Sequence, residues 1–205
     1  MLPVAGRPFL DHQLLLLRQH GVRRVVLAVG YLGRVIERHI GDGSAFDLEV
    51  HYSHDASDQA GTAGAVRRAL PLLGESFLAL YGDTYLRIDY ADVDRAHRES
   101  GLPALMTVLR NDYRLQPSNA VFEAGRVVAY NKESPSSDAR WIDYGLLGLT
   151  PVALEADPSN DLADVQRTLA AEGRLAGYEA TERFYDIGTP EALAETETFL
   201  AQPTG

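Results

Sequence analysis

Two aspartates set the chemistry this chain could do. Tyr81-Gly82-Asp83-Thr84 and Phe184-Tyr185-Asp186-Ile187-Gly188-Thr189-Pro190 lie roughly a hundred residues apart. Each follows a stretch that reads as a buried strand, and each places one carboxylate where the strand gives way to a turn. Two carboxylates held this way suit a Mg²⁺–nucleotide site, because Mg²⁺ takes one or two protein carboxylates and fills its other positions with phosphate and water. Taken singly, either aspartate could equally be an ordinary polar turn residue.

Other groups could join them. Ala60-Gly61-Thr62-Ala63-Gly64 precedes a helical stretch, where glycines permit close backbone approach and free N–H groups can meet a phosphate or a base edge. A plain loop with Thr62 as helix cap is the alternative. Lys132, in Asn131-Lys132-Glu133, is the only lysine against 18 arginines. A compact ammonium on a flexible stem is suited to a substrate phosphate, although this segment also reads as a solvated turn. Asp143, in Trp141-Ile142-Asp143-Tyr144-Gly145, is costly to hide in a strand unless it bonds something polar, such as sugar hydroxyls.

The elements that must position these groups alternate between strand and helix. Helices are expected over Phe9–Gln19, Tyr31–Ile40, Ala63–Leu73, Asp89–Ser100, Pro151–Glu155, Asp161–Glu172 and Pro190–Gln202. Strands are expected over Val25–Val29, Leu48–Tyr52, Phe77–Tyr81, Ala104–Leu109, Trp141–Leu149 and Leu175–Ala180, with a hairpin of Ala120–Glu123 and Arg126–Tyr130 turning at Ala124-Gly125. The β-branched run Val25–Val29 reads as a strand covered on both faces. The pattern predicts a single domain over residues 1–205, an α/β sandwich whose sheet is mainly parallel and is made mixed by the hairpin. In such sheets ligands bind beyond the carboxyl ends of strands, where Asp83 and Asp186 fall.

Composition narrows the function classes. A net charge of −10 over 205 residues argues against a nucleic-acid backbone or an anionic membrane as partner, yet leaves room for a phosphorylated small molecule. With no cysteine there is no disulfide and no thiolate metal site, and with no long apolar run or basic leader the expected location is the cytoplasm. The six histidines form no zinc pattern. Gly-x-Gly-x-x-Gly, Gly-x-x-x-x-Gly-Lys-[Ser/Thr] and Gly-x-Ser-x-Gly are all missing, which removes the best support for a dehydrogenase, a P-loop NTPase or a serine hydrolase.

Together these strings resemble the sugar-1-phosphate nucleotidyltransferases, in particular bacterial heptose- and muramate-phosphate nucleotidyltransferases and, further off, glucose-1-phosphate thymidylyltransferase. Met1-Leu2-Pro3-Val4-Ala5-Gly6-Arg7-Pro8-Phe9-Leu10 is similar to the segment after the family's Pro-Lys pair. Gly61-Thr62-Ala63-Gly64 resembles its base-contacting turn, with Ala60 in place of leucine; Gly82-Asp83 its first metal motif; and the Phe184–Pro190 string its second. Lys132 falls at the family's phosphate-contacting lysine, although Asn131-Lys132-Glu133 replaces Glu-Lys-Pro, and Gly145 falls in its sugar-binding segment.

The resemblance implies a Rossmann-like three-layer sandwich of the nucleotide-diphospho-sugar transferase type. The reaction implied joins a nucleoside triphosphate to a sugar 1-phosphate and releases pyrophosphate. Asp83 and Asp186 would hold Mg²⁺, Lys132 would steady the sugar phosphate, and Gly61, Thr62 and Gly82 would meet the nucleotide. Asn119, Asp143 and Gly145 would meet the sugar. It also implies that a first strand and its Gly-x-Gly-Thr-Arg…Pro-Lys phosphate loop should precede Met1, so that this chain is expected to be N-terminally incomplete and of low activity. Relatives of this kind often form homo-oligomers. Two other readings compete: a non-catalytic sugar-nucleotide-binding module, and a metal-dependent glycosyltransferase, whose Asp-x-Asp occurs here only as Asp92-Val93-Asp94 in a helical stretch.

Overall fold

The computed structural model describes residues 1–54, 61–111 and 117–202. A short hairpin, β1 (Pro3–Val4) and β2 (Arg7–Pro8), leads into α1 (Phe9–Gln19), which starts after Pro8 and ends before Gly21 at φ +84°. The chain continues through β3 (Arg24–Val29), α2 (Gly33–Ile40), β4 (Glu49–His54), α3 (Gly61–Ala69), β5 (Phe77–Leu80) and β6 (Thr84–Tyr85). Next come α4 (Tyr90–Ser100), β7 (Ala104–Arg110), β8 (Ala120–Glu123), β9 (Arg126–Tyr130) and β10 (Trp141–Leu149). It closes with α5 (Leu162–Ala171), β11 (Leu175–Ala180), β12 (Tyr185–Asp186) and α6 (Pro190–Leu200), while Leu70–Leu72 and Pro151–Glu155 form 3₁₀ turns. The start signals are side-chain caps. Asp89 accepts from the N–H groups of Ala91 and Asp92, Asp161 from Ala163, and Thr189 from Ala192.

The main sheet has six strands in the order β5-β10-β7-β11-β9-β8. It is mixed, as expected, but it is not mainly parallel in its pairing. Only β7 and β11 pair parallel within it; β10 runs antiparallel to both β5 and β7, and β9 antiparallel to β8 and β11. The cause is β10, a strand inserted between two strands of the opposite direction. A second parallel pair, β3 with β4, forms a separate two-stranded sheet.

Alternation along β7 shows how the sheet is buried. Ala104, Met106 and Val108 pack on one face with Leu147, Val165 and Leu169, whereas Leu105 and Leu109 pack on the other with Tyr90, Val93 and Leu146. Helix α5 thus covers one face and α4 the other, which makes an α/β sandwich. Each such aliphatic side chain, taken fully out of water, contributes about 1.5–3 kcal/mol. A smaller cluster of Leu14, Ile40, Leu48 and Val50 joins α1 and α2 to the two-stranded sheet.

The expectation that Val25–Val29 is covered on both faces is corrected: most of β3 is only half-buried. Among the described residues β3 pairs with β4 alone and β5 with β10 alone, so each has an edge without a strand partner. Between them lies a cavity of about 580 Å³ lined by Val25 and Leu27 of β3, Leu78 and Leu80 of β5, and Leu14 and Val66 from the helices on either side. This slot reaches Gly82, one residue before Asp83.

Candidate functional site

The end of β5 is fastened before it delivers any chemistry. The amide N–H of Tyr81 donates to the carbonyl of Gly145 at 3.2 Å, and that of Thr84 to the carbonyl of Tyr81 at 3.3 Å, which closes the turn that carries Asp83. From below, the buried Gln13 of α1 donates its amide to the carbonyls of Tyr81 (3.2 Å) and Thr84 (2.8 Å). The short pair β6–β12 then sets Asp186 opposite Thr84. The amide of Ile187 donates to the Asp83 carbonyl at 3.1 Å, and the hydroxyl of Thr196 on α6 donates to the Asp186 carbonyl at 2.6 Å.

These constraints bring the two aspartates together. A methyl built on Gly188 would stand 3.4 Å from Asp186 Oδ1 and 3.9 Å from Asp83 Oδ2, so one small volume touches both carboxylates. Asp83 Oδ1 accepts from the Thr84 hydroxyl (3.1 Å), and Asp186 Oδ1 from the Gly188 amide (2.9 Å). Two carboxylates with open space between them suit a divalent cation that also takes phosphate oxygens, whereas a closed protein cage would need more donors. Among the described residues no group of three or more His, Asp or Glu side chains is placed to hold a metal.

Facing the pair is a cleft of about 560 Å³, whose walls include Asn119, Lys132, Asp143, Gly145 and Phe184. Asn131 accepts from the amides of Glu133 and Ser134 and so makes a tight turn. That turn carries Lys132, whose Nζ lies 3.6 Å from Asp143 Oδ2 and 5.1 Å from the centre of the Tyr81 ring. Strand β10 bulges between Asp143 and Leu147, with Gly145 at φ +93°, a backbone angle that favours glycine. Asn119 Oδ1 accepts from the Asp143 amide at 2.9 Å. Tyr130 donates to Asp143 Oδ2 at 3.0 Å, and burial followed by the charge of Asp143 pushes both the Tyr130 and Tyr81 phenols well above the usual tyrosine range. Both therefore stay protonated, and Tyr130 serves as a donor to Asp143.

Of the residues singled out from sequence, Asp83, Asn119, Lys132, Asp143, Gly145 and Asp186 converge on this cleft. Gly82 lines the slot instead. Gly61 and Thr62 are not among the cleft-lining residues. The Thr62 hydroxyl bridges to the start of α5, donating to Asp161 Oδ1 (3.1 Å) and accepting from the Leu162 amide (2.8 Å). The amides of Ala63 and Gly64 donate to the Asn160 carbonyl, so these two groups tie α3 to the segment leading into α5. Ala60 lies outside the described residues. Sequence reasoning missed Gln13, Thr84 and Tyr130. Only Thr84, adjacent to Asp83, carried a local signal.

The slot and the cleft sit on a fold shared with solved structures. HddC from Yersinia pseudotuberculosis superposes with a TM-score of 0.81 at 21% identity over 98% of this chain and 88% of its own. The same protein complexed with GMP-PN gives 0.80. By sequence, the chain is 29% identical over 213 residues to the N-acetylmuramate alpha-1-phosphate uridylyltransferase of Neisseria meningitidis serogroup B, covering 96% of this chain and 87% of that relative. It is 28% identical to the mannose-1-phosphate guanylyltransferase of Mycobacterium tuberculosis, of which it spans only 55%. These relatives are sugar-1-phosphate nucleotidyltransferases, as the motifs led one to expect. The model of the nucleotidyl transferase family matches residues 1–203, and with the paired aspartates and Lys132 gathered in one cleft, this chain belongs to that family.

Proposed function

We propose that the site transfers a nucleotidyl group: an oxygen of a sugar 1-phosphate attacks the α-phosphorus of a nucleoside triphosphate, the new P–O bond forms, and the bond to the bridging oxygen breaks to release pyrophosphate. The observation that carries this reading is the convergence of Asp83 and Asp186 on one point, with the Lys132 ammonium across the cleft. Asp83 and Asp186 would hold Mg²⁺, which when bound neutralises charge on the α-phosphate. Lys132 holds the sugar phosphate. Asn119 and Gly145 line the space left for the sugar, with Asp143 beside them, while Gly61, Thr62 and Gly82 are assigned to the nucleotide side. Positioning and charge neutralisation are what such transfers need, since no protein nucleophile takes part.

The cleft supplies three carboxylates against one ammonium among its described lining residues. A triphosphate therefore requires further positive charge and backbone donors. The apolar slot that ends at Gly82 supports the view that they come from elsewhere. A strand seated between β3 and β5 would pair with both open edges and deliver the loop after it beside Asp83. We infer that this strand, with its phosphate-binding loop, belongs upstream of Met1, and that residues 1–205 alone turn over slowly. The unfilled slot also favours a second reading, a sugar-nucleotide-binding module without catalysis.

The deciding experiment compares residues 1–205 with a chain extended by the in-frame codons upstream of Met1. Pyrophosphate release is followed with a panel of sugar 1-phosphates and nucleoside triphosphates plus Mg²⁺. Turnover by the extended chain and little by the short one is the expected result. Full turnover by residues 1–205 overturns the incomplete-site reading, and nucleotide-sugar binding without turnover by either chain puts the binding module in its place.

A further inference from the structure

Asp143 is the most enclosed charge in the cleft, its side chain only 3% exposed. A buried carboxylate costs several kcal/mol unless its oxygens are paired. Here Oδ1 accepts from the Gly145 amide at 2.9 Å and Oδ2 from the Tyr130 hydroxyl at 3.0 Å, with the Lys132 ammonium 3.6 Å from Oδ2. A carboxylate has about four lone-pair sites, and these three partners leave little for a ligand. All three partners are cleft-wall groups or lie directly behind the wall.

Each partner gains something that it lacks alone. Lys132 is nearly half-exposed on a four-carbon stem, a side chain that has about 2 kcal/mol of rotamer entropy to lose on being fixed. Asp143 and the face of Tyr81 are the two features that give it a direction. Gly145 sits at φ +93° inside a bulge, and the bond from its amide to Asp143 closes that bulge. Its carbonyl in turn accepts from Tyr81, so the bulge is tied to the turn of Asp83.

We propose that Asp143 is a positioning residue: its carboxylate aims Lys132 across the cleft and locks the Gly145 bulge against the turn that carries Asp83, and Tyr130 holds that carboxylate in place from behind. This goes beyond the transferase reading and can be seen without any substrate. It assigns to Asp143 a role through its neighbours in place of a direct bond to a sugar.

Because Lys132 is the only lysine, protein grown with lysine labelled with ¹³C at Cε gives a single side-chain signal. In the unmodified chain that signal should be displaced from the free-lysine position and relax as an ordered group. Asp143→Asn keeps the shape and an oxygen for the Gly145 amide but removes the charge. It should move the Lys132 signal to the free position while the ¹⁵N signal of the Gly145 amide stays, and Asp143→Ala should move both. A Lys132 signal in Asp143→Asn that still matches the unmodified protein overturns the proposal. If either variant fails to fold, Tyr130→Phe carries the test, since it leaves Asp143 present but unanchored. A smaller displacement of the Lys132 signal in the same direction is then expected, and none overturns the proposal. No outcome depends on turnover, so failure of the transferase reading would leave this readout intact and be recognised separately.

Discussion

The cleft and the slot lie at two ends of one structural idea and differ in how completely they are satisfied. In the cleft, polar groups answer one another. Gln13 holds the turn of Asp83, Tyr130 and Gly145 hold Asp143, and Gly188 holds Asp186. In the slot, two strand edges face each other across an apolar cavity, with no strand between them among the described residues. Side-chain networks can be closed by residues already present, whereas a strand edge presents unpaired N–H and C=O groups that can template another strand. The cleft wall is therefore held in place while the edges of β3 and β5 that face the slot are not paired among the described residues, and the two regions should respond to different perturbations.

Filling the slot should have the largest effect. A chain extended upstream by one strand and its loop gains two ladders of backbone hydrogen bonds, apolar burial and new donors to the triphosphate. One well-placed electrostatic donor is worth about 10²–10³ in rate, so activity should rise by at least about a thousandfold over residues 1–205. Thermal unfolding of the two chains checks the structural half, with a higher midpoint expected for the extended one. Equal midpoints would mean that the slot is not a strand site.

Next come the carboxylates. In the extended chain, Asp83→Asn or Asp186→Asn should each lower kcat by about 10²–10³, measured by pyrophosphate release at saturating Mg²⁺. Gly188→Ala separates binding from folding. Its new methyl would meet Asp186 and Asp83 only at ordinary contact distances of 3.4 and 3.9 Å, so stability should stay within about 0.5 kcal/mol. The methyl nonetheless fills the volume between the two carboxylates, and the Mg²⁺ concentration for half-maximal rate should rise about tenfold or more. An unchanged Mg²⁺ requirement would place the cation elsewhere.

What the sequence disclosed, and what it hid, follows the same division. Runs such as Ala104–Leu109 and Trp141–Leu149 announce buried strands because local side-chain type decides local burial. The two aspartates were legible because Asp83 lies in the short turn after β5 and Asp186 closes β12. The pairing directions were not, because nothing local in β10 says that it inserts between β5 and β7. Gln13 was also invisible. Its amide reaches backbone atoms 68 and 71 residues away, and a helical glutamine offers no pattern that names such a partner. The partner of the turn at Gly61–Gly64 was hidden for a related reason: glycines before a helix signal free amides, yet Asn160 from a distant loop occupies those of Ala63 and Gly64.

The smallest effects come from two glycines and separate the regions most sharply. At Gly145, φ is +93° and a methyl would stand 3.2 Å from Thr84, so Gly145→Ala combines backbone strain with a tight contact. It should destabilise residues 1–205 by about 1–3 kcal/mol, read as a lower urea midpoint at unchanged slope. Gly82 has no such constraint in this chain. Its φ is ordinary and a methyl there meets nothing within 4 Å, so Gly82→Ala should be neutral within about 0.5 kcal/mol. That freedom exists because Gly82 borders the slot. Once a strand and its loop occupy the slot, the same methyl should meet them, and Gly82→Ala should become destabilising in the extended chain. If Gly82→Ala is neutral in both chains, the slot does not fill beside Asp83, and the phosphate-binding loop must reach the cleft by another route.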